Sequence, residues 1–342
     1  MKILSRYGKW FVIFLAILMV APTARGERLK AAIKFADQQY DSLSLNNAIA
    51  QFIIEHGYGH KTELKVVGSA DMMKMLPSGD LDVMMEGWEH NKLEWYNEQL
   101  NKGTIENLGP IFESGPQFFI IPKWMADKYN IKTVADMKEH WQLVKDPKDP
   151  SRGLFHNCPS GSSSGKVNAV KLEAYGLYKF YNPRPVKSYG AMETALADAQ
   201  KKHLPIFSYY WEPSVIMGMY DWHILEEPPY SDKVWGKIKD ASEYKIRRPI
   251  DSACAYPSIP INKLANSDLR MRAPEVAAML RKMHVGLERL TMLMVWAREN
   301  NVNDWNKVAL YFLRDYYDEW GKWMPDEPYI KTWKAVQEAF DF

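Results

Sequence analysis

The sequence predicts an α/β fold divided into two lobes, and three observations lead to that prediction. Strand and helix patterns alternate in the order β-α-β-α-β near the start of the chain, which is typical of a mainly parallel sheet covered by helices. About 316 of the 342 residues remain after an N-terminal export signal, which is more than one compact core usually supports. No low-complexity linker separates two halves, which favours lobes that the chain crosses several times.

The first 26 residues have the features of an export signal. Basic residues precede an apolar run over 10–20, and small residues over 24–26 would permit cleavage near Gly26. The apolar run is shorter than the roughly 20 residues that a spanning helix needs. A lipid anchor would require a cysteine directly after the signal, and none is there. We therefore expect a periplasmic mature protein that diffuses freely.

The elements follow in a regular order along the chain. A strand is predicted over 29–35, a helix over 42–56 that ends at Gly57 and Gly59, and a second strand over 62–67. Ser69 is predicted to cap a helix that reaches residue 76, and a third strand follows over 81–85. The remaining elements are strands over 117–121 and 206–210, helices over 123–129 and 190–201, and a mostly helical region from residue 273 onward.

Charge and cysteine content exclude some classes of function. Cleavage of the signal leaves 40 Lys and Arg residues against 42 Asp and Glu residues, without a dense basic run, so nucleic acid is not an expected partner. No Cys or His cluster has metal-ligand spacing, so neither a metal nor a cofactor is expected. Cys158 and Cys254 could form a disulfide in an oxidising compartment, and the sequence leaves that question open.

Two of the 13 tryptophans follow predicted strands directly, namely Trp88 and Trp211. Ligands of open α/β sheets bind at the carboxyl ends of strands, so both are candidates for ligand contact, although most tryptophans belong to cores. A methylated ammonium group cannot donate a hydrogen bond. A protein that selects one must use indole and phenol faces, whose negative quadrupole attracts the positive charge.

The loop over 158–166 is rich in Ser and Gly and precedes a predicted helix. Backbone amides of Gly161, Ser162 and Ser163 at that helix start would suit a carboxylate or a phosphate, and the alternative is a flexible surface loop. The loop departs from the nucleotide-binding pattern at Ser160 and Val167, so nucleotide is not expected. The serines also lack the G-x-S-x-G context of a hydrolase nucleophile.

Taken in order, these motifs resemble the substrate-binding proteins of glycine betaine and proline betaine ABC importers over nearly all of the mature chain. The resemblance rests on Pro-Ser-Gly-Asp-Leu-Asp-Val over 77–83 before Trp88 and on the Cys-Pro-x-Gly loop at Cys158. It also rests on Phe-Ser-Tyr-Tyr-Trp-Glu-Pro over 207–213 and on Ala-Tyr-Pro over 255–257. It implies a two-lobe fold like that of type II periplasmic binding proteins, with ligand held in a cleft between the lobes. The expected lobes are 27–110 plus 255–342, and 111–254.

The resemblance also implies the roles of individual residues. Trp88 and Trp211 match two tryptophans that enclose the ammonium group, while loop amides hold the carboxylate. A third aromatic of some relatives would fall within 160–164, where this chain has none. We expect its place to be taken by Tyr256 or Tyr210, or else by Tyr40 or Phe118, and we expect His90 to add a hydrogen bond to a ligand oxygen.

The function that the resemblance implies is that of a monomeric solute-binding component of an ABC importer, without catalytic residues. Its ligand would be a quaternary-ammonium compatible solute, and its partners would be a permease and, through the complex, an ATPase. Three alternatives stay open. The ligand could be another methylated amine or sulfonium, such as choline, carnitine or trimethylamine oxide; it could be an uncharged or anionic solute; or the chain could be an extracytoplasmic enzyme.

Overall fold

The computed structural model describes residues 31–243 and 250–340, and the predicted export signal lies outside these ranges. Ala32–Phe342 forms one compact unit. The described strands form two sheets. The strands are β1 (Ile33–Asp37), β2 (Thr62–Val66), β3 (Val83–Met84), β4 (Ile105–Phe112), β5 (Gln117–Pro122), β6 (Lys145–Asp146), β7 (Asp149–Asn157), β8 (Tyr181–Pro185), β9 (Ser208–Trp211), β10 (Trp222–Ile224) and β11 (Ile261–Asn266).

Helices cover both sheets. The α-helices are α1 (Asp41–Tyr58), α2 (Ser69–Ser78), α3 (Leu93–Lys102), α4 (Lys123–Tyr129), α5 (Ser163–Ala174), α6 (Tyr189–Lys201), α7 (Val215–Met219), α8 (Asp232–Glu243), α9 (Leu269–Arg272), α10 (Pro274–Lys282), α11 (Leu287–Glu299), α12 (Trp305–Asp315), α13 (Tyr317–Trp320) and α14 (Asp326–Phe340). Short 3-10 helices span Glu89–Asn91, Ala135–Glu139, Trp141–Val144, Leu177–Lys179 and Gly321–Trp323.

The first sheet has the strand order β2-β1-β3-β11-β4. Strand β1 pairs parallel with β2 and β3, whereas β11 runs antiparallel to β3 and β4. Helix α1 packs against α12 and α14 and buries Leu45, Ile49 and Ile53, the face that the helical spacing predicts. The carboxyl ends of β1 and β3 therefore emerge together at one edge of the sheet.

The second sheet has the order β10-β5-β9-β7-β6, with β8 paired to β7. Strand β9 is central, running antiparallel to β5 and parallel to β7. The core behind it is aromatic, with Phe119, Phe155 and Phe207 in mutual edge-to-face contact. These rings fix β9, and β9 ends at Trp211.

The predicted α/β alternation is confirmed, but both sheets are mixed and not mainly parallel, because β11 in the first sheet and β5 in the second pair antiparallel with their neighbours. Several boundaries also differ, and Trp211 is the last residue of β9 and does not follow it. The predicted first strand over 29–35 appears as β1 over 33–37, and residues 29 and 30 lie outside the described ranges. Ser69 is the first residue of α2 and not its cap, because Gly68 occupies the cap position. Gly57 lies inside α1, and Gly59 alone adopts the left-handed conformation that ends the helix.

The first sheet takes its strands from 33–112 and 261–266, and the second from 117–224. The lobe limits given above stay a prediction, since the unit from Ala32 onward is not divided further. The possible disulfide does not form, because Cys158 and Cys254 are both free thiols. None of the described helices combines the length and the apolar character that crossing a membrane requires.

Candidate functional site

A cavity lies between the edges of the two sheets, and we call it the aromatic cavity. The segments after β1 and β3 contribute Tyr40 and Trp88, and the end of β9 contributes Tyr209 and Trp211. Tyr189, the first residue of α6, completes the set of five aromatic rings. A concave site with several aromatic rings and a few polar groups is typical of small-molecule binding.

The rings on the side of the second sheet support one another. Trp211 is in edge contact with Tyr189 at 5.4 Å and with Tyr40 at 6.0 Å between ring centroids. Tyr209 lies two residues before Trp211, so both side chains leave the same face of β9, and their rings stack at 6.0 Å. The aromatic wall is therefore a packed cluster whose members hold each other in place.

Trp88 reaches the cavity through an unusual backbone conformation. Its φ of 44° and ψ of 43° lie in the left-handed region, which costs a bulky residue about 1–3 kcal/mol and is concentrated at functional sites. The ring fits closely over Gly115, where an added Cβ would lie 2.8 Å from a carbon of the indole. Packing thus compensates the strain and fixes the orientation of Trp88.

The start of helix α5 forms a polar part of the wall. Ser162 is the N-cap residue, and its hydroxyl accepts a hydrogen bond from the Gly165 amide at 3.1 Å. Ser163 and Ser164 are the first two helical residues, and both line the aromatic cavity. Amides at these positions have no helical carbonyl to donate to, and the helix dipole adds positive character there.

Gln117, the first residue of β5, connects the polar part of the wall to the rings. Its Oε1 accepts hydrogen bonds from the Tyr209 hydroxyl at 2.5 Å and from Asn91 Nδ2 at 3.0 Å. His90 contacts the amide nitrogen of Gln117 from behind. Burial lowers the pKa of His90 to about 3, so its ring is neutral at physiological pH. His90 therefore supports Gln117 from outside the cavity lining.

Two buried polar atoms that belong to lining residues have no hydrogen-bond partner within the described residues. They are Gln38 Nε2 and Asn91 Oδ1. Such groups are rare in folded proteins, because each costs the free energy of its lost hydration. A polar ligand in the aromatic cavity would supply partners for them.

Two ionisable side chains of opposite sign also line the cavity, Glu86 and Lys92. Burial raises the pKa of Glu86 to about 7, although hydrogen bonds from Trp88, Ser42 and Asn46 oppose the shift. Burial lowers the pKa of Lys92 to about 8, and the nearby Glu89 charge opposes that shift. The wall therefore carries an acid and a base that both titrate near neutral pH.

The structure brings together only some of the residues that the sequence singles out. Trp88, Trp211 and Ser163 line the aromatic cavity. Gly161 and Ser162 line a separate, more open depression beside Cys158. Helix α5 begins at Ser163, although the sequence predicted that the loop would extend to residue 166. Ser163 therefore lines the aromatic cavity, whereas Gly161 and Ser162 lie outside its lining.

The remaining candidates lie behind the wall. Tyr210 lines a neighbouring cavity, which it shares with Tyr40, Tyr189 and Trp211, and its ring lies 4.5 Å from that of Trp211 between centroids. Tyr256 is buried, donates its hydroxyl to Asn168 at 2.6 Å and packs against Tyr209. Phe118, next to Gln117, is likewise buried outside the lining. Tyr40, ranked below Tyr210 and Tyr256, is the one of the four that lines the cavity.

Sequence reasoning missed Tyr189, Tyr209, Glu86 and Lys92. The period of two along a strand was a usable signal for Tyr209, since it shares a face with Trp211. Glu86 stands one residue past the predicted third strand and had the same positional signal as Trp88. No signal pointed to Tyr189, because β8 before it was not predicted. No group of metal-ligating side chains is found among the described residues.

A comparison with known proteins relates this chain to one family. A family model described as the substrate binding domain of ABC-type glycine betaine transport systems matches residues 31–315. No curated protein matches the sequence significantly. At 16–18% identity, similar solved structures show the fold alone, and the predicted type II periplasmic-binding-protein fold is confirmed.

Three solved structures illustrate the likeness. The glycine betaine, L-proline ABC transporter binding protein ProX from Borrelia burgdorferi is 16% identical, with a TM-score of 0.70 over 88% of this chain and 99% of that one. Lactococcal OpuAC, in its closed-liganded conformation with glycine betaine, is 18% identical, with a TM-score of 0.66 over 86% and 99%. An ABC-transporter choline binding protein in complex with choline is 17% identical, with a TM-score of 0.70 over 89% and 98%.

Proposed function

Because the chain belongs to the family of substrate binding domains of ABC-type glycine betaine transport systems, we propose that it captures a quaternary-ammonium solute of the glycine betaine type for an ABC importer. The observation that carries this proposal is the convergence of five aromatic rings on one cavity. Each desolvated ring face contributes about 0.5–2 kcal/mol to binding a cation, so several faces acting together give useful affinity without a hydrogen bond.

The ammonium group lies between Trp88 and Trp211 in this proposal. Some relatives have a third cage aromatic at a position that corresponds to 160–164, where this chain has none. In this chain the further ring faces come from Tyr40, Tyr189 and Tyr209. Methyl groups of the ligand bury their apolar surface against these rings, and the rings exclude water from around the charge.

The carboxylate of the ligand binds at the start of α5. Ser163 and Ser164 present amides and hydroxyls there, and Lys92 adds a positive charge to the same cavity. Two similar structures support this ligand class, since one protein holds glycine betaine and another holds choline.

The two lobes, 27–110 plus 255–342 and 111–254, close around the ligand. In support, Trp88 comes from the first sheet side and Trp211 from the second, so a ligand between them holds both halves together. Closure of this kind couples binding to docking, because a permease then meets both lobes in one fixed arrangement.

The rest of the assignment follows from this role. The segment over 1–26 directs export, cleavage near Gly26 releases a periplasmic monomer, and the partners are a permease and its ATPase. The protein has no catalytic step, and it returns its ligand unchanged. A nuclear magnetic resonance spectrum of ligand recovered after prolonged incubation checks this point, and any chemical change would contradict it.

The test is a thermal-shift screen of the mature chain. Glycine betaine, proline betaine, choline, carnitine and trimethylamine oxide are compared with uncharged and anionic solutes of similar size. A ligand that binds only the folded state raises the melting temperature by mass action. We expect at least one quaternary ammonium compound to give the largest shift, confirmed by calorimetry. A larger shift with an uncharged or anionic solute, or no shift with any ammonium compound, would contradict the proposal.

A further inference from the structure

A buried carboxylate stands in the wall of the aromatic cavity without a cationic side chain to neutralise it. Glu86 is fully buried, and its oxygens accept hydrogen bonds from Trp88 Nε1 at 3.1 Å, Asn46 Nδ2 at 3.0 Å and Ser42 Oγ at 3.3 Å. All three donors are neutral. None of the ion pairs in residues 31–243 and 250–340 includes Glu86.

An isolated buried charge is costly, and neutral donors compensate only part of that cost. Burial raises the pKa of Glu86 to about 7, so the group is partly protonated at neutral pH without a partner. A cation that enters the same cavity favours the ionised form. The position of Glu86 in the cavity wall and its lack of a cationic side chain therefore suit an ion pair with a cationic ligand.

The geometry connects Glu86 directly to the aromatic wall. The indole nitrogen of Trp88 donates to the carboxylate, so the acid adjoins the edge of a ring whose face lines the cavity. The Tyr40 hydroxyl lies beside the same carboxylate and belongs to the same part of the lining. An ammonium group held against Trp88 therefore lies near the negative charge of Glu86.

We propose that Glu86 is the counter-ion of the ligand's ammonium group and makes the cavity select a positively charged headgroup over an uncharged group of the same shape. This inference rests on the proposed function, because it assumes that an ammonium group occupies the aromatic cavity. Ring faces alone give a cation only a modest advantage in binding free energy over an uncharged group of the same shape. An uncharged group would leave the buried carboxylate without a counter-ion, so the carboxylate widens that difference in binding free energy.

The pH dependence of binding follows from the charge of Glu86. Only the ionised form serves as counter-ion, so a bound cation lowers the pKa of Glu86, and binding releases a proton where the free group is protonated. Affinity for an ammonium ligand should fall roughly tenfold between pH 7.5 and pH 5.5, which is the effect of a drop of one to two pKa units on binding.

Other titratable groups near Glu86 need to be separated from it. Tyr40 and Tyr189 have raised pKa values, and His90 a lowered one, so these three stay uncharged over that range. Lys92 stays protonated below its pKa of about 8. Further groups from neighbouring elements are Glu89 with a raised pKa, Asp41 with a pKa raised to about 8, its partners Glu193 and Arg298, and Lys263 with a pKa lowered to about 7. A comparison with a Glu86 variant removes their common contribution.

The experiment measures affinity by calorimetry for two pairs of ligands. Glycine betaine is paired with 3,3-dimethylbutanoate, and choline with 3,3-dimethylbutan-1-ol, so that each pair differs only in a nitrogen or a carbon at the charged centre. The parent chain, Glu86→Gln and the control Glu89→Gln are compared at both pH values. Glu89 is also a buried acid with a raised pKa, bonded to Asn262, but it does not line the cavity.

We expect the parent and Glu89→Gln to prefer the member of each pair with the quaternary nitrogen, and to bind it about tenfold more weakly at pH 5.5. Glu86→Gln should lose most of that preference and the pH dependence. Equal preference and equal pH profiles in Glu86→Gln and the parent would overturn the inference while leaving the proposed function intact. Failure of the parent to bind any ammonium ligand would instead refute the proposed function.

A second measurement needs no variant. Calorimetry of the parent near pH 7 in two buffers of different ionisation enthalpy reports protons released on binding. We expect net release with glycine betaine and with choline. The matched carbon isosteres, which lack the positive charge, should release fewer protons if they bind. Equal proton exchange for each ligand and its isostere, or none with any ligand, would overturn the role of Glu86 even if Glu86→Gln fails to fold.

Discussion

Replacement of Trp211 by alanine should weaken binding of a quaternary ammonium ligand by more than about tenfold. Its indole is only 6% exposed, and the ring lines the aromatic cavity between Tyr189 and Tyr209. Loss of one desolvated cation–π face costs about 0.5–2 kcal/mol, and lost contact with the methyl groups adds a comparable amount. Each 1.4 kcal/mol is a factor of ten in the dissociation constant.

The same change also removes packing, so affinity and stability must be separated. Truncation of a buried tryptophan costs about 3–5 kcal/mol of folding free energy. The matched control is Trp235→Ala on α8, which removes an equally buried indole that packs on Tyr256 and does not line the cavity. Calorimetry at constant pH measures affinity, and urea denaturation without ligand measures stability.

We expect both variants to lose stability and only Trp211→Ala to lose affinity, with Trp211→Phe intermediate because it keeps a smaller ring face. An unchanged dissociation constant in folded Trp211→Ala would refute the reasoning. Equal losses of affinity in both variants would refute it as well, because they would trace the effect to general destabilisation.

Three further predictions test other parts of the site. Ser163→Pro removes one amide donor at the first helical position, where proline is tolerated and where the extended backbone of Ser162 already suits a following proline. Affinity for glycine betaine should fall severalfold in calorimetry, while affinity for choline stays unchanged. Equal changes for both ligands would contradict the role of α5. Gly115→Ala places a methyl 2.5 Å from the Ile261 side chain and 2.8 Å from the Trp88 ring, so both must shift and affinity should fall severalfold. Gly236→Ala, with open space around it, should leave affinity unchanged, and equal affinities in the two variants would show that the position of the ring is not critical. Without ligand, the raised pKa of Glu86 makes the folded state bind more protons than the unfolded state between pH 4.5 and about 7, so the contribution of Glu86 to stability falls as pH rises. In urea denaturation, the free energy of unfolding of Glu86→Gln should therefore rise by up to about 3 kcal/mol relative to that of the parent between pH 5 and pH 8. Parallel pH profiles of the two proteins would contradict this.

The elements with strong local patterns could be predicted from the sequence. Helix α4 begins and ends at the predicted residues, and α1 buries its predicted face, because helical periodicity and the αL glycine at residue 59 are local signals. Strand β8 was missed. It contains two prolines, which strand propensity disfavours, and its parallel pairing with β7 outweighs that local preference.

The candidate site was only partly predictable for a related reason. Trp88 and Trp211 could be found, because strand ends are visible in the sequence and ligands gather there. Which other rings join them depends on the face of each strand and on contacts between distant segments. Tyr209 lines the aromatic cavity, whereas its neighbour Tyr210 lines the adjoining cavity and contacts the ring of Trp211, a difference that the sequence does not show.

Buried charge was the least visible feature. Glu86 is buried only because α1 brings Ser42 and Asn46 against the end of β3, a contact between residues 40 or more positions apart. The sequence shows an acid beside a tryptophan and nothing of its desolvation. The same holds for Cys158 and Cys254, which the fold leaves as buried free thiols.

The central claim is that indole rings from the two sheets enclose one methylated ammonium group. A crystal structure of the mature chain with glycine betaine tests it most directly. We predict that the trimethylammonium group lies within about 6 Å of the ring centroids of both Trp88 and Trp211, with the carboxylate toward Ser163. Glycine betaine bound elsewhere, or bound with its ammonium group away from either indole, would contradict the account.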